Sequence, residues 1–354
     1  MSVIAMRRIR LAPQAVAPAA DTGPLAVADL RAYTAPEGYT VLRLETRSGV
    51  IGWGECAALT AGEVSLVRQA ILREPATAYE RLRTKLAGMP AAEAGVTMAL
   101  LDIIGKYAKA PLYQVLGGPT RNKVRAMAST DSASVRAAHA AGHRAFLVPA
   151  KLPQWRNSGQ GWVQAVRKEL DILKASAPDS DFALDAGGSL TPGDAASIAA
   201  ELERFRLLWL DEPCSERNLA TLRKIAGETV TPLGLGRHVH RAGDFQDMLR
   251  EEVIDVLRPS LARNGLAQIR RMAALAETYY VAIAPYHMGG PIATAAALHL
   301  AASLPNFFIQ QIPYRRQRLV TPDVESVKDG YLTLPTGAGL GITVNESGLE
   351  RMQA

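Results

Sequence analysis

The chain has 354 residues, a length typical of two domains or of one large α/β domain with an addition. Its content of 48% hydrophobic and 21% charged residues predicts a soluble globular protein. The formal net charge is +6, but lysine and arginine are spread along the chain, which argues against a nucleic-acid-binding arm and favours attraction for small anions.

The number of cysteines and the length of the apolar stretches indicate the cellular compartment in which the protein is expected. Two distant cysteines, Cys56 and Cys214, exclude a disulfide framework and fit a reducing environment. The N-terminal stretch has no apolar run typical of a signal peptide. The longest apolar segments, such as VTMALLDIIG, are about half of a membrane span. We therefore expect a cytoplasmic protein that binds neither membranes nor nucleic acid.

The first third of the chain reads as an α+β unit. Residues 39–56 alternate apolar and polar side chains around the turn-like SGVIG and predict an antiparallel hairpin. Helical periodicity follows at roughly 62–73, 77–87 and 91–108. The segment LYQVLGG then closes this unit, because paired glycines stop a helix.

From about residue 124 the pattern changes to short apolar runs that alternate with amphipathic helices. Such alternation predicts parallel strands, and eight units favour a closed barrel. Asp185, Asp211 and Arg237 follow successive runs at intervals of 26 residues, which predicts that the three share one rim. The eight runs are VRAMAST, AFLVPA, FALDAGG, LLWLDEP, VTPLGLG, VIDVLRP, VAIAPY and FFIQQ.

Several stretches, in this order and spacing, resemble the enolase superfamily, in its mandelate-racemase-like, acid-sugar dehydratase branch. They are GWGEC, ALLDIIGKYAKAPLYQVLGG, LDAGGSLTPGDAA, RLLWLDEP, TVTPLGLGR, APYHMGGPIATAAALHLAASLPNFFIQQ and AGLGI. The resemblance implies an α/β fold, a modified (β/α)₈ TIM barrel with an α+β capping domain. We expect the capping domain at residues 1–118, the barrel at 119–322, and a C-terminal segment, 323–354, that returns to the capping domain.

The resemblance also implies a chemistry. In the family, Mg²⁺ stabilises the enediolate formed when a proton is removed from the carbon next to a carboxylate. A carboxylate's α-proton is very weakly acidic, so the intermediate needs a dense positive charge and a nearby base. The mannonate- and galactonate-dehydratase-like groups are the nearest, which implies a small polyhydroxy carboxylic acid as ligand. Association into a homo-oligomer is expected by the same analogy.

The family's three metal ligands are carboxylates at the ends of consecutive strands. The matching positions here are Asp185, Asp211 and Arg237, so the third ligand is reversed in charge. Three carboxylates with Mg²⁺ and two carboxylates with one guanidinium both carry a net charge of −1. We predict that Arg237 bridges the two aspartates and that Mg²⁺ binds weakly or not at all. In the alternative, Arg237 turns outward and the aspartates hold a hydrated metal ion.

The acid–base positions depart from the family as well. Lys151 is the lysine nearest to the second-strand base position, and Ser260 stands where the sixth strand usually carries an acid. Tyr286 aligns with the seventh-strand histidine, with His287 beside it, and Gln311 replaces the eighth-strand acid. We assign candidate catalytic roles to Lys151, Arg237, Tyr286 and His287, and candidate substrate contacts to Ser260 and Gln311.

Two histidines follow the arginine, as His238 and His240. The H-x-H pattern can ligate a transition metal, but no third ligand is evident nearby in sequence, so we expect both to contact substrate at the rim.

Two functions stay open on the sequence. One is a divergent member without standard Mg²⁺-dependent proton abstraction, either silent or acting otherwise on an anionic ligand. The other is an active sugar-acid dehydratase or epimerase, a carbon–oxygen lyase in the first case, with Mg²⁺ held weakly by Asp185 and Asp211 and with His287 as base.

Overall fold

The computed structural model describes residues 23–152, 159–215, 219–314 and 319–353. The first 22 residues of the predicted capping domain, and residues 315–318 near the predicted end of the barrel, lie outside this part of the chain. None of the described helices is long and apolar enough to cross a membrane.

The N-terminal unit is a three-stranded antiparallel sheet covered by helices. Its strands pair in the order β1–β2–β3, and the predicted hairpin corresponds to β2 and β3. The helix α3 packs against this sheet so closely that β3 carries glycines at the contact: a Cβ at Gly54 would lie 2.0 Å from the carbonyl oxygen of Gly95. The elements are β1 (Val27–Thr34), β2 (Tyr39–Thr46), β3 (Ile51–Ala57), α1 (Ala61–Ile71), α2 (Tyr79–Lys85), α3 (Pro90–Tyr107) and α4 (Leu112–Val115).

Eight parallel strands form the predicted barrel. They are β4 (Lys123–Ser129), β5 (Ala145–Pro149), β6 (Asp181–Asp185), β7 (Leu210–Asp211), β8 (Leu233–Leu235), β9 (Val256–Leu257), β10 (Ala282–Ile283) and β11 (Gln310–Pro313). Neighbours pair in chain order from β4 to β10, and β11 pairs in parallel with β4. A single parallel bridge between Ile283 and Phe307 closes the remaining seam. All eight apolar runs of the sequence therefore correspond to barrel strands.

Seven helices alternate with these strands in the described chain: α5 (Val135–Ala140), α6 (Gly159–Ser176), α7 (Pro192–Leu202), α8 (Leu219–Gly227), α9 (Ala242–Arg250), α10 (Leu261–Glu277) and α11 (Pro291–Ala301). Inward side chains such as Leu147, Ala183 and Trp209 fill the barrel, while Phe146 and Phe182 face the helices. A helix cap keeps the loop after β6 short. Thr191 accepts a hydrogen bond from the Asp194 N–H, so α7 begins soon after the strand ends.

The C-terminal segment contacts both parts of the molecule. Its elements are β12 (Val320–Thr321), β13 (Val327–Lys328), β14 (Tyr331–Thr333), β15 (Thr343–Val344) and α12 (Glu346–Gln353). Strand β14 pairs antiparallel with β4 of the barrel, which the sequence did not predict. Further on, the Leu340 N–H donates to the buried carboxylate of Asp102 on α3, which also accepts from the Trp53 N–H of β3. The segment thus joins the barrel to the capping unit, and the domain limits stay a prediction.

Candidate functional site

Three successive strands bring the predicted ligand positions together. Asp185 ends β6 and lies opposite Asp211 of β7, which in turn lies opposite Gly234 of β8. Arg237 follows β8 by two residues. Because these strands are parallel, their carboxyl ends meet at one rim of the barrel, as the spacing of 26 residues predicted.

Two glycines, Gly234 in β8 and Gly236 just after it, shape this rim. A Cβ at Gly234 would lie 2.4 Å from the indole of Trp209, so only glycine lets that ring lie against β8. Gly236 has φ +129°, and its N–H and that of Arg237 both donate to Glu212 Oε1, at 2.9 and 2.8 Å. This pair of hydrogen bonds fixes the backbone from which the Arg237 side chain projects.

The Arg237 guanidinium bridges the two aspartates. Its Nη2 lies 2.7 Å from Asp185 Oδ2 and 2.8 Å from Asp211 Oδ2, and the side chain is only 15% exposed. The guanidinium also lies 4.2 Å from the centre of the Tyr286 ring. Burial opposes the charge, but the two carboxylates outweigh it and raise the pKa of Arg237 above its usual value. The predicted contact is confirmed, and the guanidinium is permanently charged.

A second arginine, Arg258, lies in the barrel beside the first. It is fully buried, and its Nε donates to Asp211 Oδ1 at 2.8 Å. Its Nη2 donates to Gln311 Oε1 at 2.6 Å, and its Nη1 to the carbonyl oxygen of Ala284 at 2.6 Å. The Trp209 indole N–H completes the set by donating to Asp211 Oδ1 at 2.7 Å. Both carboxylate oxygens of Asp211 therefore accept hydrogen bonds.

The sequence interpretation missed Arg258. The signal was present in LRPS, because an arginine two residues before Ser260 has the same inward phase within an otherwise apolar strand. Its presence also corrects the charge count. Asp185 and Asp211 face two guanidinium groups, Arg237 and Arg258, so the cluster is neutral rather than −1. Gln311, which contacts Arg258, is neutral and leaves this balance unchanged.

The residues present do not fit Mg²⁺. Both oxygens of Asp211 accept hydrogen bonds, and those of Asp185 accept from Arg237 and from the Gly187 N–H at 2.9 Å. Mg²⁺ requires several free oxygen ligands at about 2.0–2.1 Å in octahedral geometry. The third position instead offers a cation. In the part of the chain that the structure describes, no group of three or more His, Cys, Asp or Glu residues is arranged to hold a metal ion.

Glu212 lies next to the cluster and is buried. Burial, and then the charge of Asp211, raise its pKa to about 7, against the opposing effect of the Arg237 and Gly236 N–H groups. The carboxyl group therefore changes charge near neutral pH, and it accepts hydrogen bonds from the backbone N–H groups of Gly236 and Arg237.

The neighbours Tyr286 and His287 contact different parts of the molecule. Tyr286 lies under the Arg237 guanidinium, whereas the buried His287 places Nε2 2.9 Å from the Thr294 hydroxyl of α11. Its Nδ1 accepts a hydrogen bond from the Gly289 N–H at 3.3 Å. Both ring nitrogens are thus engaged in holding the start of α11. A catalytic role for either residue stays a prediction.

The other candidates are distributed around the rim. Ser260 is buried at the start of α10 and forms a parallel bridge with Tyr286. Lys151 is exposed after β5, and its carbonyl oxygen accepts from Trp162 Nε1 at 2.6 Å. His238 and His240 line one cleft of about 480 Å³, which fits a rim position. Their catalytic and substrate roles stay predictions.

Comparisons with known proteins assign the family. A family model described as "Enolase C-terminal domain-like" matches residues 131–348, and one described as "Mandelate racemase / muconate lactonizing enzyme, N-terminal domain" matches residues 14–117. The chain therefore belongs to the mandelate racemase/muconate lactonizing enzyme family of the enolase superfamily. The predicted fold class and family are confirmed.

Among curated relatives, the D-xylonate dehydratase of Haloferax volcanii is 26% identical, over 88% of this chain and 84% of the relative. The D-galactonate dehydratase of Ralstonia pickettii is 29% identical, over 90% of this chain and 92% of the relative. Among solved structures, the 3,6-anhydro-D-galactonate cycloisomerase of Zobellia galactanivorans superposes with a TM-score of 0.84 at 20% identity, over 93% of this chain and 99% of that chain. The last likeness shows the fold.

Proposed function

We propose that this protein is a divergent relative of the sugar-acid dehydratases that binds a small polyhydroxy carboxylic acid at the barrel mouth without Mg²⁺-dependent proton abstraction. The observation that carries the proposal is the Arg237 bridge, with its Nη2 at 2.7 and 2.8 Å from Asp185 and Asp211. The resemblance matches these positions to the carboxylates with which the family holds its metal ion.

Electrostatics favour this proposal over a weakly bound metal. Two carboxylates and two guanidinium groups form a neutral cluster, so Mg²⁺ would add two uncompensated charges beside Arg237 and Arg258. At about 4 Å and an effective dielectric near 20, each pair of unit charges repels by about 4 kcal/mol. The ion would also have to displace hydrogen bonds that already satisfy Asp211, which is 0% exposed.

The names of the curated relatives and the charge of Arg237 at the barrel mouth both support a sugar acid as the ligand. The two curated relatives described above act on D-xylonate and D-galactonate by name, and both are sugar acids. Arg237 is 15% exposed beside Asp185, and its guanidinium lies 4.2 Å from the centre of the Tyr286 ring. A cation on this rim can pair with a ligand carboxylate in place of a metal ion.

Binding and turnover can be separated experimentally. We would titrate the metal-free wild type by calorimetry with D-galactonate, D-xylonate and a panel of related sugar acids. Each titration is run in EDTA and again in roughly 5 mM Mg²⁺, a concentration high enough to fill a weak metal site. We expect at least one acid to bind with the same affinity in both buffers. We also expect no loss of water from any acid, measured as formation of a 2-keto acid.

The same experiment can contradict the proposal. Mg²⁺-dependent formation of a keto acid, abolished in Asp185→Asn, would establish the alternative of an active dehydratase. Failure of every acid to bind would instead remove the ligand half of the proposal. A Glu228→Gln variant, which removes an exposed carboxylate after α8, controls for the change in net charge.

A further inference from the structure

A second cleft lies away from the strand-end cluster, between the capping unit and the barrel. Its volume is about 640 Å³, within the range typical of small-molecule sites. The capping unit contributes the end of α2 and the start of α3, and the barrel contributes the start of α9 and one side of α10. The lining residues are Arg83, Ala87, Gly88, Pro90, Glu93, His240, Arg241, Ala242, Gly243, Asp244, Arg263, Gln268 and Arg271.

Beside this cleft, the two units pack closely against each other. The helix α10 is interrupted at Gly265, which has φ +58°, and a Cβ there would lie 2.7 Å from the Cα of Ala94 on α3. Only glycine combines this backbone conformation with such a close approach. The cleft is therefore built at a fixed contact between domains rather than on a loose surface loop.

The cleft carries excess positive charge. Four arginines and two carboxylates line it, a formal charge of +2, and Glu80 beside it offsets one charge by accepting from Arg83 and Arg271. The other two arginines, Arg241 and Arg263, are exposed and form no ion pair within the described chain, and Arg241 lies near enough to Glu93 to favour its charged form. Two cations are thus left available to one bound anion.

A buried acceptor lies beside these cations. Gln268, on α10, is only 7% exposed, and its side-chain oxygen Oε1 has no hydrogen-bond partner in the described structure. An unsatisfied buried carbonyl oxygen costs about 1–3 kcal/mol, so native proteins rarely retain one without a reason. A ligand hydroxyl or N–H group in the cleft would satisfy it.

We propose that this cleft binds a small hydroxylated anion, with Arg241 and Arg263 pairing with the anionic group and Gln268 Oε1 accepting from a hydroxyl. The site is separate from the cluster of Asp185 and Asp211, and does not depend on whether the barrel binds a metal ion. A sugar carboxylate and a sugar phosphate share the required chemistry. Because the ligand binds the folded protein and not the unfolded chain, its binding raises the Tm.

The test is calorimetric titration of the full-length protein with D-gluconate and with D-glucose 6-phosphate, which distinguish the carboxylate from the phosphate. We expect one of the two to bind with 1:1 stoichiometry at this cleft. The double variant Arg241→Gln/Arg263→Gln should weaken that binding by at least about tenfold, because each guanidinium supplies a charge-assisted hydrogen bond. Arg136→Gln, on the far helix α5, should leave it unchanged.

Two further arms keep the result specific. Gln268→Leu should weaken binding of the hydroxylated probe but leave any binding of inorganic phosphate unchanged. Arg237→Gln, in the barrel cluster, should leave the cleft affinity within about twofold, which separates this site from the barrel mouth. Absence of binding by both probes, equal affinity in the Arg241/Arg263 double variant, or equal affinity for inorganic phosphate would each overturn the proposal.

Discussion

Asp211 is the residue on which the strand-end cluster depends. Its two oxygens accept from the indole N–H of Trp209 and from the guanidinium groups of Arg237 and Arg258, with distances from 2.7 to 3.4 Å. The carboxylate is 0% exposed, and so is Arg258. A buried pair of this kind contributes little relative to an apolar replacement of both partners, but removal of one partner leaves an unpaired charge.

The first prediction is that Asp211→Asn destabilises the protein strongly. The amide retains the size of the side chain but leaves the buried Arg258 without a counter-ion, at a cost of about 3–5 kcal/mol. Asp185→Asn is the matched control, because Asp185 is 20% exposed and accepts from only one guanidinium, so its loss should cost about 1–2 kcal/mol. Urea unfolding measures both, and equal losses would contradict the central role of Asp211.

At the scale of the elements, the sequence predicted where the barrel strands lie, but it did not predict all of the contacts between them. The apolar runs and their spacing placed all eight strands and the rim positions of Asp185, Asp211 and Arg237, because strand period and barrel topology repeat along the chain. The role of Arg258 was not predicted, because burying arginine is costly and depends on partners from three other strands. The pairing of β14 with β4 joins segments distant in sequence, so no local signal carries it.

The second prediction concerns the packing of β8. In Gly234→Ala the new methyl group would lie 2.4 Å from the Trp209 ring and 3.0 Å from Asp211 Oδ1, so the indole and its hydrogen bond must shift. We expect a loss of about 1–3 kcal/mol in the free energy of unfolding. Gly161→Ala on α6 meets no atom within 4 Å and should be neutral or slightly stabilising. A neutral Gly234→Ala would show that Trp209 is free to move.

At the scale of the whole molecule, two of the buried histidines have a lowered pKa, and one of them joins the capping unit to the barrel. His299 of α11 is buried and accepts the Tyr113 N–H of α4 at 3.2 Å, and burial lowers its pKa to about 4. Burial, and then Arg144, lower the pKa of His143 to about 4 as well. Both histidines are therefore held neutral where an exposed histidine would begin to take up a proton.

The third prediction is a pH dependence of stability. Between about pH 6.5 and 4 the unfolded chain binds a proton at each histidine and the folded protein does not, so this contribution to the free energy of unfolding falls as pH falls. For His299 the loss approaches about 3 kcal/mol at pH 4. In His299→Asn, whose amide oxygen can still accept the Tyr113 N–H, this loss is absent. The difference between wild type and variant should shrink from pH 7 to pH 4, and a constant difference would contradict the assignment.

We propose that the guanidinium groups of Arg237 and Arg258, which contact Asp185 and Asp211, keep Mg²⁺ from binding there. The most direct measurement is a calorimetric Mg²⁺ titration of the wild type beside the double variant Arg237→Glu/Arg258→Gln, which restores a third carboxylate and frees Asp211. We expect no stoichiometric Mg²⁺ binding by the wild type and one equivalent in the variant. One equivalent of Mg²⁺ bound by the wild type, and lost in Asp185→Asn, would contradict the claim.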